Sequence, residues 1–402
     1  MSNVRFDATE VRDEGIFQSA KYGKSEKITR DYVETAIGHV LKKIDQSLNQ
    51  FTDQFPAPSS NNQVYKAIDN VEWTTSFWTG MLWLAYEVTN DEKYRRVAEK
   101  QVQSFKERIE NRVSVNHHDV GFLYTLSCVS AFKLTGNSDA KNAALEAADL
   151  LITRYFEKAG ILQAWGDLKD PKQRGRMIID CNMNLPLLYW ASEVTGDQKY
   201  REIASSHVKQ AAKYIVREDA STFHTFYMDP DTGVPLKGDT HQGFADDSCW
   251  ARGQAWGMYG FPLSYKYIND WDLMELSKKI SNYFLNRLPE DHVCYWDLIF
   301  TEGEEERDSS AAAIAACGML EMVKCLPLSD PYRDYYQNAA IKIIKSLHQN
   351  YTTEVEGEAN GILKHAVYYK GGNMGVDESC IWGDYYYFES LVRLLKDWKL
   401  YW

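Results

Sequence analysis

Two aspartates, Asp119 and Asp180, stand at matching points of a repeat, each just ahead of an apolar run: Asp119-Val-Gly-Phe and Asp180-Cys-Asn-Met. Arg252, in Arg252-Gly-Gln-Ala, holds a third such point. Two carboxyls that share a pocket cannot both ionise freely, so one becomes a proton donor near neutral pH. Helix N-termini oppose this by lowering carboxylate pKa values, yet those same ends, with Arg252, attract an anionic ligand. Acid–base chemistry beside a small anion is the expectation. The triplet His117-His118-Asp119 invites a metal reading, but adjacent residues do not share a helix face. No H-E-x-x-H or Cys/His ligand spacing is present. Neither a metal nor a cofactor is expected.

The repeat that sets these positions runs through most of the chain. Apolar helices are predicted from Thr74 to Val88, Asp119 to Leu134, Asp180 to Val194 and Arg252 to Ile268, with a fifth starting at Asp308 and a sixth running from Asp384 to the chain end. Several close on Thr followed by Asn or Gly, the residues a left-handed helix C-cap favours. The Asp at several starts suits an N-cap, where a carboxylate satisfies free amides. Between them lie charge-rich amphipathic segments, Glu92 to Glu110, Ser138 to Phe156, Gln198 to Val216, Asp272 to Arg287 and Tyr332 to Gln349. A helix that is apolar all round is buried, and one with a charged face lies outside. Six inner helices alternating with outer ones predict an all-α fold, an (α/α)6 barrel whose inner helices bring their N-termini to one end.

Residues 1–402 are expected to form one such domain, with residues 1–70 as an N-terminal arm and first outer helix. No Pro/Gly/Ser-rich linker divides the chain, and 44% hydrophobic and 13% aromatic residues supply a core. Seven Cys, odd in number and without a C-x-x-C pair, read as free thiols of a reducing compartment. The opening thirty residues are charged throughout, and no apolar stretch approaches the ~20 residues that span a bilayer. A cytoplasmic protein is expected. A net charge of −12 argues against nucleic acid or an anionic membrane as partner. Oligomeric state is not legible.

Aromatic residues extend the candidate site. Trp73, at an inner-helix start, and Trp165, in the loop Gln163-Ala-Trp-Gly-Asp, are placed to stack beneath sugar rings. The polar stretch His241 to Trp256 enters the fourth inner helix, and its Gln242 and Arg252 offer forked hydrogen bonds to a carboxylate or vicinal hydroxyls. His224 precedes that stretch in a loop.

With these residues in view, the chain resembles the unsaturated glucuronyl hydrolases of bacteria from about Val71 to Trp402. The resemblance rests on His118-Asp-Val-Gly-Phe122, Asp180 within Ile-Ile-Asp-Cys-Asn-Met-Asn-Leu-Pro, His224-Thr-Phe-Tyr and His241-Gln-Gly. It rests most on Trp250-Ala-Arg-Gly-Gln-Ala-Trp256 and Asp377-Glu-Ser-Cys-Ile-Trp-Gly-Asp-Tyr385. The related unsaturated rhamnogalacturonyl hydrolases share the toroid and the paired Asp, and remain the alternative together with other (α/α)6 sugar-processing enzymes. Gly253-Gln-Ala-Trp256 favours the glucuronyl branch.

The resemblance implies a hydrolase that releases a 4,5-unsaturated glucuronic acid from lyase-generated oligosaccharides of the chondroitin or hyaluronan class, by hydrating the double bond. It implies that Asp180 protonates C4 and then helps water add at C5. Asp119 would hydrogen-bond ring hydroxyls and hold the proton of the pair. His224, Gln242 and Arg252 would orient the uronate and the water, with Trp73, Trp165, Trp250 and Trp256 against the sugar. The loop His365 to Gly375 would meet the next sugar, with Lys370 as its candidate contact.

Overall fold

The computed structural model describes residues 6–402, so the first five residues of the expected arm lie outside the described ones. Its helices alternate between an inner ring and an outer layer. The inner helices are Thr75–Thr89, the interrupted run of Val120–Tyr124, a π-helical turn Thr125–Val129 and Ser130–Thr135, the pair Cys181–Asn184 and Pro186–Thr195, then Ala251–Ile268, Ser309–Cys325 and Ile381–Leu395. Each packs on the next, and the sixth packs back on the first, which closes an (α/α)6 toroid. Nearly every residue of the fifth and sixth is buried, and the charged Glu321, Glu389 and Arg393 among them pair with one another.

The two ends of this barrel are built differently. At the C-terminal end of four inner helices, a left-handed residue (Asn90, Gly136, Gly196 or Asn269) is followed at once by the N-cap of the next outer helix. Those caps are Asp91, Asn137, Asp197 and Asp270, whose side chains accept from a backbone amide of the new first turn. The pair reverses the chain in two residues, so these connections carry no loop of their own. Long connections return to the other end, and these carry hairpins: Arg176–Ile178, Thr225–Met228 and Pro235–Asp239 form one antiparallel sheet, and Ala366–Tyr369 pairs with Met374–Glu378. The hairpin-bearing loops are therefore gathered at the end where the inner helices begin.

Several expectations need correction. The sixth inner helix begins at Ile381 and stops at Leu395, short of the chain end. The following tail folds back so that Trp402 is buried, with its indole N–H donating to Glu389 Oε2 at 2.9 Å. Asp384 is not a cap. It lies inside that helix and accepts from the amides of Ile362 and Leu363 and from the Tyr65 hydroxyl. Of the Asp starts, Asp308 caps its helix through Oδ1, whereas Asp119 and Asp180 make no side-chain cap bond. The outer helix Ser138–Ile152 ends before Phe156, because Tyr155–Phe156 pairs as a strand with Ile161–Leu162. The N-terminal arm includes the outer helix Arg30–Ser47, packed on the sixth inner helix, while Lys279 donates to the carbonyls of Ala8 and Val11.

Candidate active site

Asp119 and Asp180 reach the same cavity because two inner helices approach closely. A Cβ at position 121 would collide with the backbone of Asn184, so Gly121 allows the second inner helix to lie directly against the third. The resulting cavity, of about 310 Å³, is lined by Trp73, His118, Asp119, Trp165, Asp180, His241, Gln242, Trp250, Arg252, Trp256 and Tyr368. All but three of these were candidates from sequence. His118, His241 and Tyr368 were not, although His241 and Tyr368 fall inside stretches already singled out.

The carboxyls differ through their surroundings. Asp119 Oδ2 faces His117 Nδ1 at 3.3 Å, and its Oδ1 faces His118 Nε2 at 3.3 Å and the Asn184 amide nitrogen at 3.4 Å. Burial works to raise its pKa, but these neighbours outweigh burial and hold the carboxyl below the usual carboxylate range. Asp180 has no such set. Burial, and after it the charge on Asp119, pushes its pKa well up, against the pull of Arg252. These opposed directions favour the proton on Asp180, where the resemblance implied that Asp119 holds it, because the donors converge on Asp119. The His118 imidazole, brought down to about 4 by burial, is neutral near pH 7.

Aromatic rings form the walls. Trp73 stacks on Trp382 at 5.3 Å and donates its indole N–H to the Tyr368 hydroxyl at 3.0 Å. Trp165 sits under the guanidinium of Arg176 at 4.7 Å, with His241 at 5.8 Å. The Trp250 ring lies between the Arg252 guanidinium, 4.4 Å away, and the His224 ring, 4.5 Å away. Stacking on several sides fixes these rings before any ligand arrives.

Three candidates take roles other than the expected ones. His224 is buried behind the wall, and its Nδ1 accepts from the amides of His241 and Gln242 at 2.9 and 3.1 Å, so it shapes the loop rather than touching the cavity. Arg252 is buried with both terminal nitrogens engaged: Nη1 donates to Asp308 and the Val367 carbonyl, Nη2 to Gln242 and the Tyr368 carbonyl. It fastens the strand Ala366–Tyr369 to the barrel as well as lining the cavity. Lys370 is absent from the lining and pairs with Glu306, a rim carboxylate whose reach sequence spacing could not show.

Residues 43–396 match the model of Glycosyl Hydrolase Family 88. The chain is 50% identical over 376 residues to the unsaturated chondroitin disaccharide hydrolase of Streptococcus pneumoniae, covering 93% of this chain and 95% of that protein. The crystal structure of unsaturated glucuronyl hydrolase from Streptococcus agalactiae superposes with a TM-score of 0.95 at 49% identity, covering 98% of this chain and 99% of that one. A variant of that streptococcal enzyme, complexed with dGlcA-GalNAc6S, gives a TM-score of 0.88 at 46% identity over 98% of this chain and 99% of that one. The chain belongs to Glycosyl Hydrolase Family 88. It is a glycoside hydrolase, and its toroid is that of the unsaturated glucuronyl hydrolases. Within this family 88 chain, ligand atoms of His118, Asp119 and Asp180 all lie within 4.8 Å of one another, so proton chemistry and cation binding would compete for one spot.

Proposed function

We propose that the chain removes a 4,5-unsaturated glucuronic acid from the non-reducing end of lyase-generated chondroitin- or hyaluronan-type oligosaccharides, by adding water across the double bond. The observation that carries this reading is the carboxyl pair with opposed environments: His117, His118 and Asn184 gather on Asp119 and favour its anion, while burial beside that charge favours a neutral Asp180. A vinyl ether protonated at carbon becomes oxocarbenium-like, and such a cation is stabilised by a fixed carboxylate next to the proton donor. Asp180 gives its proton to C4; water then forms the bond to C5 and returns a proton to Asp180, which restores the acid. The hemiketal at C5 opens, and the remainder of the chain leaves.

The cavity fits this task in size and lining. At about 310 Å³ it is at the small end of ligand pockets, room for a terminal sugar with the rest outside. Trp73, Trp165, Trp250 and Trp256 offer apolar faces to the ring, Gln242 a polar edge, and Arg252 a held positive charge. The substrate class follows the relatives, one named for unsaturated chondroitin disaccharides and one complexed with dGlcA-GalNAc6S. Seven free cysteines are in keeping with action in the cytoplasm.

Incubation with lyase-digested chondroitin or hyaluronan should abolish the alkene absorbance. In heavy water, deuterium should appear at C4, and labelled water oxygen at C5. Asp180→Asn should fold and lose turnover on the order of 10²–10⁴-fold, the contribution of a positioned acid–base group. Oxygen label at C1 with the alkene retained would replace hydration by ordinary glycosidic hydrolysis.

A further inference from the structure

His118 so far only helps to keep Asp119 ionised, yet it lies between both carboxyls. Its side chain is only 2% exposed, and Nε2 lies 3.3 Å from Asp119 Oδ1 and 3.4 Å from Asp180 Oδ1. Neither ring nitrogen has a hydrogen-bond partner among the described residues, and these two approaches fall short of hydrogen-bond geometry. Asp180 Oδ1 is likewise buried and without a hydrogen bond. The Asp180 side chain nevertheless keeps 19% exposure, which leaves Oδ2 as its cavity-facing oxygen.

A neutral imidazole has one N–H and one lone pair. A lone pair on Nε2 would face the ionised Asp119 oxygen at 3.3 Å and repel it. The opposite tautomer turns that repulsion into an attraction, which a small ring movement closes to a charge-assisted hydrogen bond, and offers the same hydrogen to Asp180 Oδ1. An Asp180 proton on Oδ1 would then meet that hydrogen head-on. We propose that His118 bridges the two carboxyls through Nε2–H and so confines the transferable proton of Asp180 to Oδ2, the oxygen that faces the substrate. The bridge rests on the reading of Asp180 as the acid and adds a positioning residue to it.

The remaining charged or titratable groups around the bridge are consistent with this tautomer. His117 is engaged with the far oxygen of Asp119. The buried Arg154 donates to Gln163, Asn116 and Gly166, so it adds positive charge near Asp119 without contacting His118. His207 accepts at Nδ1 from the Leu162 amide and is neutral, its pKa pulled down to about 3 by burial. Arg252 is committed to Asp308, Gln242 and two carbonyls.

The test combines spectroscopy of the unmodified enzyme with two variants. Nitrogen-15 histidine spectra, with His118 assigned by its loss in His118→Gln, should show the Nε2-protonated tautomer at neutral pH. His118→Leu should lose on the order of 10²-fold in kcat with KM changed by less than about threefold. Both limbs of its kcat–pH profile should move to higher pH, because a donor that favours the ionised carboxyl is gone. His118→Gln, whose amide can place an N–H near the Nε2 position, should recover at least about tenfold of that loss and the wild-type limbs. An Nδ1-protonated ring overturns the bridge, as does a folded Leu variant with unchanged limbs. If the Leu variant does not fold, the tautomer and the Gln variant decide. Wild-type turnover in Asp180→Asn would instead remove the acid on which the bridge rests.

Discussion

Arg252 donates through Nη2 to the side-chain oxygen of Gln242 at 2.6 Å, joining the start of the fourth inner helix to the loop ahead of it. The same nitrogen reaches the Tyr368 carbonyl, and Nη1 reaches Val367 and Asp308. A cation free to clamp an anion would have open donors at its tip, and here both terminal nitrogens are occupied by protein. Arg252 therefore contributes a held positive charge and a fixed wall. Arg252→Ala should cost about 3–5 kcal/mol, because it leaves Asp308 buried without its partner. Thermal unfolding would measure that. Arg252→Lys should rescue little of either stability or kcat/KM, since one ammonium cannot span four acceptors held by a planar fork. A Lys variant with near-normal kcat/KM would show that charge alone suffices.

The opposed environments of the carboxyl pair give a signed pH prediction. Turnover needs Asp180 protonated and Asp119 ionised, so kcat should fall as pH rises through the raised pKa of Asp180. After burial, the charge on Asp119 is the next cause of that elevation. Asp119→Asn removes it, so the alkaline limb should move to lower pH while kcat drops on the order of 10²-fold or more. A variant with the limb unmoved would separate the two carboxyls electrostatically and defeat the pairing.

Much of this architecture could be read from residue order because its rules are local. A Thr followed by Asn or Gly closes an inner helix, and Asp or Asn opens the next outer one, whatever lies around them. Helical periodicity failed at His118. Adjacent residues do point apart on a helix, but His118 precedes the helix that begins at Val120, and the turn there directs its ring between the carboxyls. Lys370 and Glu306, 64 positions apart, meet only because two rim connections pack together. The family resemblance makes His224 a ligand contact, whereas its lone pair serves two backbone amides.

Independence from metal and from redox state is the third prediction. The spacing of His118, Asp119 and Asp180 would admit a cation, but binding one requires both carboxyls ionised and a lone pair on the imidazole. Burial and the charge on Asp119 disfavour that state by keeping a proton on Asp180, and the Arg252 guanidinium in the wall repels a cation directly. All seven cysteines are unpaired. Activity should survive a chelator and a thiol reductant at full strength. Loss with chelator and recovery with one particular metal would make the trio a metal site.

The last prediction concerns the far end of the barrel, where Trp402 acts as a floor. Its ring stacks on Tyr386 at 6.0 Å with planes 10° apart, and its edge meets Phe122 at 6.0 Å. Phe122 in turn touches Trp73 and Trp256, both of which line the cavity, at 5.6 and 5.3 Å. Removing the indole leaves a cavity in a close-packed core and leaves Glu389 without one of its donors. Trp402→Ala should cost about 3–5 kcal/mol, as large-to-small core changes do. Since the void lies beneath the sugar-facing rings and not beside the carboxyls, KM should rise while the kcat–pH limbs stay in place. Shifted limbs with an unchanged KM would mean that the aromatic stack supports the acid rather than the sugar platform.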